Sequence, residues 1–471
     1  MTPEHTSADR RAVLDRAARL RQLSEADRDA IRIAQDPQFP RWLEQVTATG
    51  GCSHPIHLSG STTTLDGTTG EILSNYDTRH EPGERLLVRC RNRRATVCPA
   101  CSRLHAGDTY HLVRAGLLGG KNVPATVRNR PRLFVTLTAP SFGAVHRMGE
   151  VCRPRRDGGT CEHGRPLGCG TTHHTDAPAI GQPLCPDCYD YTAHVLWHAH
   201  ASKLWDRFVI DVRRRLASSV GLVQSHFAQH ARLSFARVAE YQKRAAVHVH
   251  AVVRLDGPHG PGEEPPAWGT AELLTDAVRA SALRVLIRTS YSPAVGELAL
   301  GWGAQIDVRP LHVDGDGPAD DAVAAYVAKY VTKGASETGA GIDHPVSTCA
   351  DIEAASVSSH VRTLMRTCWR LGVLPEYAHF RLHAWTHTLG YRGHILTKSR
   401  AYSTTYAALR AERARHVGQA KAPDAITERQ WRYVGSGHTP GAALIATGIA
   451  EDLAESRRLG ADARQEVGWS Q

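Results

Sequence analysis

The sequence predicts an α+β protein: an antiparallel-rich sheet with flanking helices, cysteine-rich insertions and a mostly helical C-terminal region. Three observations lead there. Short β-branched or aromatic runs at 132–138, 232–240, 247–255 and 304–310 alternate with longer segments of helical period. Two Cys-x2-Cys pairs sit in Gly- and Pro-rich stretches that lack an apolar period of their own. Towards the C-terminus helical patterning dominates.

At 471 residues the chain is long enough for several domains with real cores. Its net charge of +10 favours a polyanionic partner, with nucleic acid the first candidate. The first twenty residues hold no apolar run of the signal-peptide kind, and no stretch of 18 apolar residues occurs. The expectation is therefore a cytoplasmic protein without a membrane span. In that reducing compartment the 11 cysteines point to metal rather than to disulfides.

Taken in order, residues 1–49 read as a helical N-terminal segment, with Val13, Leu14, Ala17, Ala18 and Leu20 at helical spacing. Residues 50–130 read as a cysteine module with a basic surface, its last part helical from Cys98 to Leu118. Residues 131–335 form one domain in which 150–190 is a second cysteine-rich insertion. Within it, Arg132–Thr138 is a strand stopped by Pro140, and 191–217 is a helix. Two strands, 232–240 and 247–255, are joined as a hairpin, and a helix follows at 271–289. A strand at 304–310 and a helix from Asp320 close the domain. Residues 336–471 make up the mostly helical C-terminal region, after a small, polar linker around 334–350.

The chemistry concentrates in two of these elements. In Val247-His248-Val249-His250-Ala251 alternate residues face opposite sides, so His248 and His250 share one face of a strand. Two imidazoles one pleat apart can bind one divalent ion. Glu240 ends the preceding strand, where the hairpin brings it alongside them as a third ligand. Gln242 competes for that place, and Glu240 can also be read as a solvated strand-end charge. The helix from Asp320 has a buried stripe of Ala324, Val327, Ala328 and Val331, with Asp320 or Asp321 as its cap. Its opposite stripe is Tyr326, Lys329, Tyr330 and Lys333. A tyrosine oxygen can attack a phosphodiester, and neighbouring lysines favour the phenolate and stabilise phosphate charge. An ordinary basic helix is the alternative.

The cysteines suggest two structural zinc sites. Cys98 and Cys101 form one knuckle, with Cys90 and Cys52 the candidates to complete it. Cys185 and Cys188 form the other, with Cys161 and Cys169, and with His163 or Cys152 as substitutes. Buried free thiols are the alternative. Arg93, Arg94 and Arg103 near the first knuckle are candidates for contacts to DNA phosphates, or simply a solvated face.

The order of these elements resembles that of the HUH endonucleases. Phe134–Pro140 looks like their first motif, His248 and His250 match their metal-binding pair, and Tyr326-Val-Ala-Lys-Tyr330-Val-Thr-Lys333 resembles their two-tyrosine motif. The chain is most similar to the RepSA replication initiators of actinobacterial plasmids and integrative elements. Arg93-Arg-Ala-Thr-Val-Cys98-Pro-Ala-Cys101, Leu184-Cys-Pro-Asp-Cys-Tyr-Asp190 and Gly390-Tyr-Arg-Gly-His394-Ile-Leu-Thr-Lys-Ser-Arg400 add to that resemblance, which spans about residues 50–420.

The resemblance implies a metal-dependent, site-specific single-strand nuclease of HUH fold that starts rolling-circle replication. Mg2+ or Mn2+ would polarise the scissile phosphate, and a tyrosine would remain on the 5′ phosphate, leaving a 3′-OH primer. It ranks Tyr330 first as nucleophile and Tyr326 second. The implied partners are origin DNA, single-stranded or extruded as a hairpin, and a host helicase and DNA polymerase. A two-tyrosine transposase or relaxase, or a zinc-containing DNA-binding regulator that does not cut, are the other readings.

Overall fold

The strand-forming runs pair as antiparallel sheets throughout a mixed α+β structure. The computed structural model describes residues 22–149, 151–154, 158–311, 320–332, 342, 344–416 and 424–468. The helix expected around Val13–Leu20 lies outside them. The longer helices are α1 Glu25–Ala34, α2 Phe39–Ala48, α3 Pro99–Leu118, α4 Tyr191–Ser219, α5 Ala271–Arg284, α6 Asp320–Thr332, α7 Ser359–Leu371, α8 Tyr406–His416 and α9 Pro440–Gly468. The strands are β1 Ile56–Asp66, β2 Ile72–Asp77, β3 Leu86–Val88, β4 Arg132–Leu137, β5 Arg232–Tyr241, β6 Val247–Asp256, β7 Leu286–Arg288, β8 Ala299–Gly301, β9 Ile306–Pro310, β10 Leu396–Lys398 and β11 Ala425–Ser436. Among the described residues no helix is long and apolar enough to cross a membrane. The chain divides into two compact units, one of residues 106–410 and one of residues 1–105 with 411–471.

The larger unit is built on a five-stranded sheet of order β10-β5-β6-β4-β9. β6 is central, and both of its faces are covered. Val247, Val249, Ala251, Val253 and Leu255 pack into a core with Trp197, Trp205 and Phe208 of α4 and Leu274 and Val278 of α5. On the other face Val252 joins Ala236 and Val238 of β5, Leu112, Val113 and Leu117 of α3, and Val323, Ala324 and Val327 of α6. This double burial is why β6 reads as a nearly continuous apolar run after its histidines. Its far end carries a fully buried ion pair, Arg254–Asp256, with both side chains 0% exposed. The Arg254 guanidinium also donates to the carbonyls of Gly116 and Tyr402, and Ser234 donates to Asp256 at 2.6 Å. A buried charge pair survives only when its remaining donors and acceptors are satisfied in this way.

Two elements of this unit differ from the sequence reading. The helix expected at 271–289 stops at Arg284 and is followed by β7. There Leu286 and Arg288 are exposed while Ile287 is buried, so the local period is two, not 3.6. β10 is a strand within the C-terminal region and adds an edge to β5 through Leu396–Lys398.

In the smaller unit β1 pairs with β11 on one side and with β2 and β3 on the other. Gly60 sits where β1 meets β11 with φ +145°, and a Cβ there would lie 1.8 Å from the Gln430 carbonyl oxygen. Only glycine permits that approach. α9 packs along α1. Among the described residues the C-terminal region holds α7, α8 and α9 together with the strands β10 and β11.

Buried histidines tie the larger unit together. His198 of α4 is fully enclosed; its Nδ1–H donates to the Leu389 carbonyl and its Nε2 accepts the Val247 N–H, both at 3.0 Å. Both roles require the neutral ring. Burial holds the pKa of His198 down to about 4, burial does the same for His360, and it holds His194 well below its ordinary value. A folded-state pKa below the unfolded value means that the unfolded chain takes up the proton first. Stability is then full above about pH 6.5 and is lost as pH falls towards 4. His198 and His360 should each cost about 2 kcal/mol at pH 5 relative to pH 7.5. Melting temperatures measured between pH 7.5 and 4.5 should fall steeply below 6.5, and a flat profile would contradict this account.

Candidate active site and metal centres

The β5–β6 hairpin sets the first site. Its register places Glu240 directly opposite His248, and the β4–β6 register places Thr136 directly opposite His250. Directly opposed residues of antiparallel strands bring their side chains into contact. Glu240 Oε2 lies 2.8 Å from His248 Nε2 and 3.3 Å from His250 Nε2, and the two imidazole nitrogens are 3.2 Å apart. For metal–ligand bonds of about 2.1 Å, adjacent octahedral ligands stand about 3.0 Å apart. The three atoms therefore match one face of an octahedron, which leaves the opposite face for phosphate oxygens and water. The residues fit a divalent cation.

The surroundings prepare the ligands. Thr136 Oγ1 is 2.9 Å from His250 Nδ1; with the proton on Nδ1, the Nε2 lone pair faces Glu240. Phe134 stacks on the His250 ring, with centroids 5.9 Å apart and planes 2° from parallel. Burial pushes the Glu240 carboxyl up, but hydrogen bonds and charge from His248 and His250 outweigh it and bring the pKa to about 2. Burial lowers the pKa of His250, against the pull of Glu240. At neutral pH Glu240 is thus an ionised carboxylate. Gln242 does not join it; its Oε1 accepts from Arg244 Nε at 2.8 Å in the hairpin turn.

The tyrosine helix is anchored at its N-terminal end. Arg132 of β4, its side chain fully buried, donates to Asp320 at 2.8 Å and to the Leu117 carbonyl at 2.8 Å. Arg114 and Tyr110 of α3 hold Asp321. With Val323, Ala324 and Val327 buried, the Tyr326 hydroxyl reaches 3.1 Å from His250 Nε2, its ring edge-on to the imidazole. Lys329 is exposed. Tyr330 is one turn further along α6; its side chain and Lys333 lie outside the described residues.

The cysteines gather in groups whose ligand atoms all lie within 4.8 Å of one another. Cys52, Cys90, Cys98 and Cys101 form one, with Cys52 Sγ 3.8 Å from Cys98 and 3.6 Å from Cys101. Hydrogen bonds from Cys101 and Cys52 hold the Cys98 thiol far below its usual pKa. Cys161, His163, Cys185 and Cys188 form a second, while Cys169 stands apart from them with His146, Cys152 and His173. These groups could hold zinc. Sequence reading missed His146 and His173, although Cys169-Gly-Thr-Thr-His173 has a knuckle-like spacing. Phe134 and Thr136 lie in the run that resembles the first HUH motif, but their contacts with His250 could not be read from it. Of the three arginines singled out near the first group, Arg93 and Arg94 are half-buried, and Arg103 donates to the Ala450 carbonyl at 3.1 Å. A groove of about 520 Å³ runs beside the hairpin turn, with Thr138, Arg147, Arg153, Lys243, Arg244 and Gln305 among its walls.

Two comparisons match the chain over most of its length. The sequence model of the RepSA family, described as "Replication initiator protein, pSAM2", matches residues 38–451. A curated "Replication initiator protein" of Streptomyces ambofaciens is 45% identical over 451 residues, 92% of this chain and 95% of that one. No solved structure matches the chain. Matches of this extent define a replication initiator. The chain belongs to the RepSA family.

Because Thr136 orients His250 without touching the cation position, Thr136→Val should weaken Mn2+ binding about 10–100-fold. Calorimetric titration of the full chain checks this; unchanged affinity would show that the tautomer is set by something else.

Proposed function

We propose that this chain starts rolling-circle replication as an HUH-type nuclease, nicking one strand of origin DNA through a tyrosine at the Glu240–His248–His250 site. The observation that carries the reading is the Tyr326 hydroxyl, 3.1 Å from the His250 Nε2 that faces Glu240. A divalent cation, Mg2+ or Mn2+, bound by Glu240, His248 and His250 would supply Lewis-acid polarisation of the scissile phosphate.

The chain's own groups do the rest. The Tyr326 oxygen attacks phosphorus and the bond to the 3′ oxygen breaks. The phenolic proton is lost to solvent, and the leaving oxygen takes one up as it becomes the 3′-OH primer. Lys329 and Lys333 favour the phenolate and steady the phosphate charge. Tyr330, four residues on and on the same helical face, serves the second transfer that rejoins the strand. The position of Tyr326 beside the candidate metal ligands supports it for the first attack, where resemblance alone ranks Tyr330 first. The basic groove of Arg147, Arg153, Lys243 and Arg244 suits the phosphates of a single strand entering the site. Arg93, Arg94 and Arg103 beside the Cys52 group add contacts to duplex phosphates. Two zinc ions, at the Cys52 and Cys161 groups, replace a core these loops lack. A host helicase and polymerase then extend the primer.

The test is cleavage of a single strand from the element's own origin, labelled at either end, with Mn2+ and under denaturing separation. The 3′-labelled fragment should remain on the protein, and Tyr326→Phe and His248→Ala should each reduce this adduct at least about a hundredfold. An adduct that survives Tyr326→Phe but not Tyr330→Phe exchanges the two roles. Origin binding without any cut would leave a non-cutting DNA-binding regulator.

A further inference from the structure

The insertion between β4 and α4 holds eight metal-ligand side chains, and their order along the chain is informative. They come as four pairs: His146 with Cys152, Cys161 with His163, Cys169 with His173, and Cys185 with Cys188. In space the first pair joins the third and the second joins the fourth. The two groups are interleaved in sequence, not consecutive.

We propose that this insertion is a cross-braced double zinc module, with a zinc ion at His146, Cys152, Cys169 and His173 in addition to the one at Cys161, His163, Cys185 and Cys188. Tetrahedral zinc with bonds of about 2.3 Å to sulfur and about 2.05 Å to nitrogen sets ligand separations of about 3.3 Å between nitrogens and about 3.6 Å between nitrogen and sulfur. His146 Nδ1 and His173 Nε2 are 3.1 Å apart; Cys169 Sγ is 3.4 Å from His173 Nε2, and Cys152 Sγ is 3.9 Å from His146 Nδ1. These three separations fit edges of one tetrahedron, and all four ligand atoms lie within 4.8 Å of one another.

The backbone supports the same arrangement. The Arg147 N–H donates to Cys152 Sγ at 3.1 Å, the kind of bond that steadies a thiolate ligand. An antiparallel bridge pairs Cys152 with Thr171, so the first and third pairs are stitched together by main chain. The loop carrying Cys161 and His163 is enclosed between them, and a second bridge pairs Thr160 with Pro166 inside it. Each zinc therefore closes a loop that contains ligands of the other. On binding, each cysteine thiol gives up one proton to solvent and the imidazoles bind neutral. The module also holds Arg147 and Arg153 along the basic groove.

The experiment uses the full chain. Elemental analysis should find three zinc ions per chain: two in this module and one at the Cys52 group. Native alkylation read by mass spectrometry should find Cys152 and Cys169 protected until a chelator is added. Both are wild-type readouts and need no variant to fold. In His173→Ala, the thiols that first become reactive should be Cys152 and Cys169, with zinc falling by at least one. Two zinc ions with Cys152 and Cys169 freely alkylated in the wild type would overturn the additional site. Selective exposure of Cys185 and Cys188 in His173→Ala would overturn the cross-brace in favour of consecutive sites.

Discussion

The alignment of β5 with β6 is the constraint on which the site depends. A shift of one residue would turn His248 and His250 to the face packed on α4 and send Val247 and Val249 to the side of Glu240's carboxylate. The alignment is fixed from both ends. At one end the neutral His198 ring takes the Val247 N–H, and at the other Arg254 and Asp256 are locked to Ser234 and to two carbonyls. Neither end contributes a ligand. Both make any other register leave a buried polar group without its partner, which is costlier than the loss of a contact.

The same economy governs the helix that carries the tyrosines. Its apolar stripe would let it slide along the sheet, since small residues such as Ala324 and Val327 offer little shape to lock. The charged anchors at Asp320 and Asp321 remove that freedom. Arg132 belongs to the strand next to β6, so the strand that supplies Thr136 to His250 also fixes the helix that brings Tyr326 to it. Ligand, tautomer and candidate nucleophile are thereby referred to one short strand of six residues. Loops further out have no comparable apolar support, and there the structure gathers cysteines and histidines instead.

Much of the site was legible in the sequence because it obeys simple periods. Period two put His248 and His250 on one face, period 3.6 put Tyr326 and Tyr330 on one side of a helix, and short spacing marked Cys98–Cys101 and Cys185–Cys188. What escaped depends on pairing between distant segments. Thr136 is an ordinary strand residue until the register sets it against His250. Cys169 looks equally suited to either neighbouring knuckle until the loops fold, and His146 precedes any cysteine of its insertion. β11 escaped for another reason: Glu428, Arg429, Gln430 and Arg432 keep it largely exposed, so no apolar alternation announces it. β7 was hidden by its brevity, since three residues cannot display a period against the helix before them.

The pairing of β1 with β11 has a consequence for synthesis. Residues 106–410 form one compact unit, while the sheet that begins at Ile56 receives its last strand only at Ala425. At about 5–20 residues per second, translation separates the two strands by roughly 20 to 70 s. Through that interval β1 can pair with β2 and β3 but presents its other edge bare, with N–H and C=O groups open to any passing strand. The run Ser61-Thr-Thr-Thr64 on that edge is uncharged and offers no gatekeeper. Newly made chains are therefore most exposed to aggregation late in translation, and nonsense products ending before residue 425 should depend on chaperones for as long as they exist.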